Sequence, residues 1–195
     1  MLSEELMNDV SQIDDSRIIF FYTEEITLEN SSALIKELIR LDMESDDDIY
    51  LFLQTLGGDL YNSFAIYDTI NSLKAKVNIV CFATCYSGGV LIAAAGEKVY
   101  AFQHTDFLIH PVQLSYYGAL DDLAHVNNIS DKYADAISKE LNISPYDFKV
   151  KYDKDVYLSA HDMLNAGIVD EIVTNLDFLQ EKGVKKYDRS NNLHK

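Results

Sequence analysis

The chain has 195 residues, of which 48% are hydrophobic and 25% charged, with only 2 Pro and 8 Gly. This length and composition indicate one globular α/β domain and exclude a disordered or fibrous chain. Acidic residues outnumber basic residues by 32 to 16, and the resulting net charge of -16 argues against nucleic acid or an anionic membrane surface as a partner.

Residues 1–16 have neither the basic region nor the apolar region of a signal peptide, and no later stretch approaches the roughly 20 apolar residues of a membrane span. We therefore expect a soluble cytoplasmic protein with a mobile N-terminal segment. Cys81 and Cys85 have no Cys or His pair nearby at metal-ligand spacing, so we interpret them as reduced core side chains.

From Arg17 onward, strand-like and helix-like runs alternate along the chain. Three successive units each contain a short apolar strand-like run followed by a helix-like run. These units lie at residues 17–43, 49–73 and 77–96. Two short β-rich runs follow them. Strands separated by helices in this way predict a mostly parallel sheet with right-handed crossovers.

A long polar helix is predicted over residues 118–141, with apolar side chains at three- and four-residue spacing on one face. A last helix follows, with Ser159 and Asp162 as its capping pair and Gly167 as its C-terminal stop, before a final strand. From residue 176 the chain is polar, and we expect a solvated tail.

In parallel α/β sheets, ligands bind beyond the carboxyl ends of the strands, so candidate site residues are those that follow a strand. Gly57 and Gly58 follow one strand, Ser87 follows the next, and His110 ends a third. Ser87 precedes Gly88 at a strand-to-helix turn, where backbone N–H groups favour an oxyanion. This sequence pattern fits a nucleophile, but it also fits a serine that only caps a helix.

A serine nucleophile needs a base, and the base needs an orienting group. Only His110 among the five histidines ends a strand at the predicted sheet edge. Several acids compete for the third role, namely Asp153, Asp155 and Asp162, and spacing alone does not choose between them. A Ser-Lys dyad with Lys98 is disfavoured, because eleven helical residues would separate the two groups by about 16 Å.

Five segments resemble the ClpP peptidases in order and spacing, and the match covers residues 17–173. They are RIIFFYTEEI, DDDIYLFLQTLGGDLYNSFAIYDTI, CYSGGVLIAAAG, FLIHP and DVYLSAHDMLNAGIVDEIV. The resemblance implies a crotonase-like α/β fold with mostly parallel βα units, a peptidase domain over residues 17–175, and a protruding handle helix over about 118–141. By the same resemblance we expect this handle to make the ring-to-ring contact through its apolar stripe, which consists of Leu123, Val126, Ile129, Tyr133, Ile137 and Leu141.

Carried over to this chain, the resemblance implies a catalytic triad of Ser87, His110 and Asp155. It implies an oxyanion hole formed by the N–H groups of Gly58 and Gly88. These two glycines follow a strand end and the nucleophile, respectively. The resemblance therefore selects Asp155 where spacing alone did not.

The chain departs from the family pattern close to these residues. Leu56 replaces the usual Pro before the glycine pair, Cys85 and Tyr86 replace small residues before the serine, and Pro111 follows the histidine directly. The segment between the alanine-rich helix and the histidine is also short. Such changes are typical of a divergent or phage-encoded member.

The resemblance also implies how the chain assembles and that a partner protein supplies the ATP hydrolysis. We expect two stacked heptameric rings that enclose the active sites and hydrolyse unfolded polypeptides, fed by an AAA+ unfoldase that uses ATP. We expect no metal or organic cofactor in this chain. Two alternatives are a catalytically idle ring subunit and a crotonase-type acyl-CoA enzyme, and the net charge of -16 disfavours the second.

Overall fold

The computed structural model describes residues 17–113 and 122–181. Within these residues the strands are β1 (Ile18–Thr23), β2 (Ile49–Thr55), β3 (Val77–Tyr86), β4 (Lys98–Phe102), β5 (Asp106–Ile109), β6 (Val156–Ser159) and β7 (Glu171–Val173). The helices are α1 (Leu28–Glu44), α2 (Leu60–Ser72), α3 (Gly88–Ala93), α4 (Asp122–Glu140), α5 (Pro145–Lys151), α6 (Ala160–Ala166) and α7 (Asp177–Glu181).

All these strands join one sheet, with β1, β2, β3, β4 and β7 in that order and with β5 paired to β3 and β6 paired to β5. The pairs are parallel except for β5 with β6, which confirms the predicted mostly parallel sheet. β3 changes partner along its length: Asn78–Cys81 pair with β4, whereas Thr84–Tyr86 pair with β5. Ala83, between them, has a positive φ of 53°. This irregularity lets β5 reach the carboxyl end of β3.

The helix that follows β6 begins and ends at the predicted residues. Ser159 and Asp162 form a reciprocal capping box, in which each side chain accepts a hydrogen bond from the other's backbone N–H. The Ser159 hydroxyl also donates to the Asp162 carboxylate, and this bond, together with that from the Ser159 backbone N–H, lowers the pKa of the Asp162 carboxyl. Gly167 ends the helix in the left-handed conformation, with a φ of 91°. Asp162 therefore stabilises α6.

One large core lies between the sheet and the helices, and its centre consists of fully buried side chains from the strands and the alanine-rich helix. They include Ile49, Leu51, Leu53, Ile79, Val90, Leu91 and Ile92. Both cysteines are free and buried, as predicted. Among the described helices, none is long and apolar enough to cross a membrane.

The opposite face of the sheet carries a smaller aromatic core, which includes part of the predicted tail. Phe178 and Leu179 of α7 are buried there, and the Phe178 ring stacks on Tyr100 with a centroid separation of 4.5 Å. The expected solvated tail therefore does not begin at residue 176. This short helix was not predicted, because most of the residues around it are polar. Its two buried side chains, Phe178 and Leu179, hold it in the aromatic core.

The long helix α4 spans Asp122–Glu140. Gly118, where we predicted its start, lies outside the described residues. Tyr133, Ile137 and Leu141 on its apolar stripe are buried in the core of their own subunit. The prediction that this stripe contacts a second ring is therefore wrong for these three residues, because the core of their own subunit already covers them. Leu123 and Val126 of the same stripe are not among the described side chains.

Two further described elements, α5 and β6, were also not predicted. α5 begins after Ser144, whose side chain accepts the N–H of Asp147, and Pro145 occupies the first helical turn. This serine-proline pair was a readable start signal. β6 has four residues at the edge of the sheet, too few for a period-two pattern to be recognised.

Candidate active site

The carboxyl ends of β2, β3 and β5 meet at one edge of the sheet. Thr55 of β2 is paired with Cys85 of β3, and Tyr86 of β3 is paired with Leu108 of β5. Just beyond β3, the N–H of Ser87 donates to the Leu108 carbonyl at 2.8 Å. The segments that follow these strands are thereby brought together, as the predicted topology requires.

A pocket opens at this edge. Its lining residues are Leu56, Gly58, Leu60, Ser87, His110, Val112, Gln113 and Tyr133. Of the five residues that the resemblance selects, Ser87, His110 and Gly58 share this lining. The family departure Leu56 is also part of the pocket wall, so it affects the shape of any bound substrate.

Ser87 forms the turn between β3 and α3 in a strained backbone conformation, with φ 54° and ψ -116°. Its side chain makes no capping hydrogen bond to the helix, so the helix-cap interpretation does not describe it. A serine on a sharp strand-to-helix turn exposes its hydroxyl at the top of the sheet, as in nucleophile elbows. This geometry suits a nucleophile.

Gly57 makes room for this turn. A Cβ added at Gly57 would lie 2.7 Å from the Cβ of Ser87, and the φ of 97° is one that side chains rarely adopt. Gly88 is required for a different reason, because a Cβ there would clash with the Ser63 hydroxyl of α2. Gly57 therefore allows the loop after β2 to approach Ser87 closely, and Gly88 allows α3 to pack closely against α2.

The bridge between Gly58 and Ile26 does not use the N–H of Gly58. Gly58 forms a parallel bridge with Ile26, in which the Ile26 N–H donates to the Gly57 carbonyl and the Asp59 N–H donates to the Ile26 carbonyl. In a parallel bridge the central residue's own N–H points to the other side. Gly58 lines the pocket that contains Ser87, so this donor suits an oxyanion hole.

His110 follows β5, and its ring is held in one tautomer. Its Nδ1 lies 2.7 Å from the carbonyl oxygen of Pro111. Because a carbonyl can only accept, Nδ1 is the protonated nitrogen when the ring is neutral, and Nε2 is then the nitrogen that can take a proton. The acceptor is a backbone carbonyl, which any residue at position 111 would supply, and it orients the ring as a general base requires.

The strands β5 and β6 place His110 and Asp155 at the same end of one strand pair. β5 and β6 are antiparallel and their last pair is Ile109 with Val156, so His110 directly follows one strand and Asp155 directly precedes the other. Asp155 is exposed, and the His110 Nδ1 bonds to Pro111 rather than to this carboxylate.

The rival residues lie elsewhere. Lys98 is paired with Asn78, at the opposite end of β3 from Ser87, so the dyad has no support. Asp162 caps α6, and His104 and His161 are exposed in a turn and in α6. The remaining histidines, at positions 125 and 194, are not among the described side chains.

Sequence reasoning did not assign Tyr133 to the site. This residue of α4 is buried, and its hydroxyl donates to the carbonyl oxygen of Ser87 at 3.3 Å. Burial raises the pKa of the Tyr133 phenol, which therefore remains a donor at neutral pH. Its place on the apolar stripe predicted burial, but no sequence signal predicted the contact with Ser87.

Comparisons with known proteins agree with this architecture. The Clp protease family model matches residues 2–176. The chain is 25% identical to the ATP-dependent Clp protease proteolytic subunit 1 of Prochlorococcus marinus (strain MIT 9312), over 88% of this chain and 91% of that protein. It superposes on the ClpP1 N165D mutant from Listeria monocytogenes with a TM-score of 0.77 and 26% identity, covering 92% of this chain and 99% of that one. The chain belongs to the Clp protease family and has the fold of a ClpP-type proteolytic subunit.

Proposed function

We propose that this chain is a serine endopeptidase in which Ser87 is the nucleophile, His110 the general base and Asp155 the third member of the triad. The observation that carries the proposal is that Ser87, on a strained turn, and His110, with Nδ1 protonated, line one pocket. A nucleophile and a neutral imidazole in one cleft are what peptide-bond attack requires.

In the proposed reaction, Nε2 of His110 takes the hydroxyl proton as the Ser87 oxygen attacks the peptide carbonyl. The imidazolium then gives that proton to the departing amine, and water hydrolyses the acyl-enzyme with the same histidine as base. Asp155 stabilises the imidazolium charge, and the Pro111 carbonyl already holds the required tautomer. No metal or organic cofactor takes part in these steps.

The N–H groups of Gly58 and Gly88 are the proposed oxyanion donors. Gly88 is the first residue of α3, so its N–H belongs to the unpaired amides at the start of a helix, and Gly58 presents the N–H that its bridge with Ile26 leaves unused. Loss of one such donor typically costs about 10²–10³ in kcat.

We extend the proposal to the assembly. The Prochlorococcus relative is described as the proteolytic subunit of an ATP-dependent protease. By this likeness, two stacked heptameric rings of this cytoplasmic chain would enclose the active sites, and an AAA+ unfoldase would consume the ATP and deliver unfolded polypeptide. The chain's own surface supports protein contacts: Phe20 and Tyr22 are 57% and 54% exposed, and Tyr22 packs edge-on against Phe82 at 4.5 Å. Exposed aromatic clusters of this kind are commonly covered by a partner.

A catalytically idle ring subunit is the second candidate. The observation that favours it is that His110 Nδ1 bonds to Pro111 and that Asp155 is exposed, so the three triad members are not joined by hydrogen bonds to one another. The two candidates differ in whether Ser87 reacts with an electrophile that requires an activated hydroxyl.

A fluorophosphonate probe separates the two candidates. The purified protein is fractionated by size, treated with the probe and mapped by mass spectrometry, with Ser87→Ala as the control. The peptidase proposal requires covalent labelling at Ser87 and its loss in the control. A correctly assembled protein that stays unlabelled would support the idle subunit instead.

A further inference from the structure

The carbonyl oxygen of Ser87 accepts two hydrogen bonds. One comes from the N–H of Val90 at 2.9 Å and is part of the first turn of α3. The other comes from the Tyr133 hydroxyl at 3.3 Å, from a side chain 46 residues further along the chain. Tyr133 is only 4% exposed, and its ring packs edge-on against Phe148 at 6.0 Å. The phenol is thus held in place by packing.

This contact bears on the direction of the Gly88 N–H. The carbonyl of Ser87 and the N–H of Gly88 belong to one planar trans peptide unit, so they point in opposite directions. A group that fixes the carbonyl oxygen therefore fixes the N–H as well. Ser87 is itself in a sparsely populated conformation, and such conformations persist only where surrounding contacts determine them.

We infer that Tyr133 is a positioning residue that orients the peptide unit between Ser87 and Gly88 from α4, and so aims the Gly88 N–H at the oxyanion. The inference rests on the proposed peptidase function. It makes α4 a support of the oxyanion hole, because the Tyr133 hydroxyl is a direct link between this helix and the nucleophile turn. Tyr133 acts through the main chain of Ser87 and supplies no reacting group.

The chain offers a matched control in Tyr152. Its ring packs on the same phenylalanine, 4.9 Å from the Phe148 ring, and it is as buried as Tyr133. Within the described residues, however, its hydroxyl has no hydrogen-bond partner. Tyr133→Phe and Tyr152→Phe each delete one buried phenolic oxygen from one aromatic cluster, and only the first deletes a bond to Ser87.

The test measures kcat and KM on a short fluorogenic peptide, and the rate of fluorophosphonate labelling, for both variants. We expect Tyr133→Phe to lower kcat and the labelling rate about 3- to 10-fold, the range for loss of one ordinary hydrogen bond. KM should change little, because the oxyanion forms only in the transition state. Tyr152→Phe should leave all three values unchanged. Equal behaviour of the two variants would overturn the inference.

Amide hydrogen exchange over residues 86–92 gives a readout that does not depend on activity. Exchange should be faster in Tyr133→Phe than in the wild type, and unchanged in Tyr152→Phe. If the wild-type chain neither cleaves peptides nor takes up the probe, the proposed function has failed. The exchange comparison still decides whether Tyr133 orients the turn, since unchanged exchange in Tyr133→Phe contradicts that role.

Discussion

Ser87 shows how a backbone position, rather than a side chain alone, defines the candidate site. Three hydrogen bonds to the main chain of Ser87 support its φ of 54°. Its N–H donates to the Leu108 carbonyl, and its carbonyl accepts from the Val90 N–H and the Tyr133 hydroxyl. Ser87 could be predicted as a candidate nucleophile, because a serine that precedes two glycines at a strand end is a recognisable sequence pattern. It could not identify Tyr133, since the contact joins residues far apart in the chain and depends on how one helix is rotated on the sheet.

Gly57 provides a test of this close packing. We predict that Gly57→Ala lowers peptidase activity at least 10-fold, because its Cβ would lie 2.7 Å from that of Ser87 and would displace the nucleophile. The control is Gly167→Ala. Gly167 has a similar φ of 91°, but its added Cβ would meet its nearest atom at 3.6 Å.

Both glycine substitutions should cost about 1 kcal/mol in the free energy of unfolding through backbone strain. Only Gly57→Ala should lose activity at a temperature where both variants remain folded. Thermal melting and peptide hydrolysis measure the two effects separately. Full activity in Gly57→Ala would show that the Ser87 turn tolerates displacement.

Among the elements, the alternation of strands and helices was predictable because each has a distinct hydrophobic period and because most are bounded by clear capping residues. The rotation of α4 was not predictable. An apolar stripe indicates that a helix face is covered, but it does not indicate by what. Here Ile137, in the middle of the stripe, is fully buried within its own subunit.

A charge at Ile137 should therefore unfold the subunit rather than only separate rings. We predict that Ile137→Asp destabilises the fold by about 3–5 kcal/mol, because it removes a core side chain and buries an unpaired carboxylate. Asn128→Asp is the control, since it adds the same charge on the exposed side of α4. Circular-dichroism melting beside sedimentation velocity distinguishes the outcomes: a folded Ile137→Asp subunit in smaller assemblies would restore the ring-contact interpretation.

For the whole molecule, the chain belongs to the Clp protease family, and Phe20 and Tyr22 of β1 are exposed aromatic residues that the proposed assembly would cover. The negative net charge followed from the composition, and the parallel sheet was predicted from the periodicity of the sequence. The sheet's edge pairing was not, because β6 is short and is separated from β5 along the chain by α4 and α5. That pairing places His110 and Asp155 at the same end of two neighbouring strands, which no spacing rule could show.

The proposed closed chamber leads to a prediction about substrates. We expect the isolated assembly to cleave short unstructured peptides without ATP and to spare a stably folded protein, because only extended chains would reach enclosed sites. The sequence has no GxxxxGK segment followed by Ser or Thr, so this chain has no P-loop of its own with which to use ATP. Gel analysis over several hours compares the two substrates, and rapid digestion of the folded protein would contradict the enclosed arrangement.

The most direct test of the triad is peptide turnover by Ser87→Ala, His110→Ala and their double variant, with assembly checked for each. Loss of a triad nucleophile typically costs about 10⁴ to 10⁶ in rate, and members that act as a unit are not additive. The double variant should therefore be scarcely slower than Ser87→Ala. Asp155→Asn should be impaired less than Ser87→Ala, because the Pro111 carbonyl still holds the Nδ1 proton. Substantial turnover by Ser87→Ala, or losses that add in the double variant, would contradict the assigned roles.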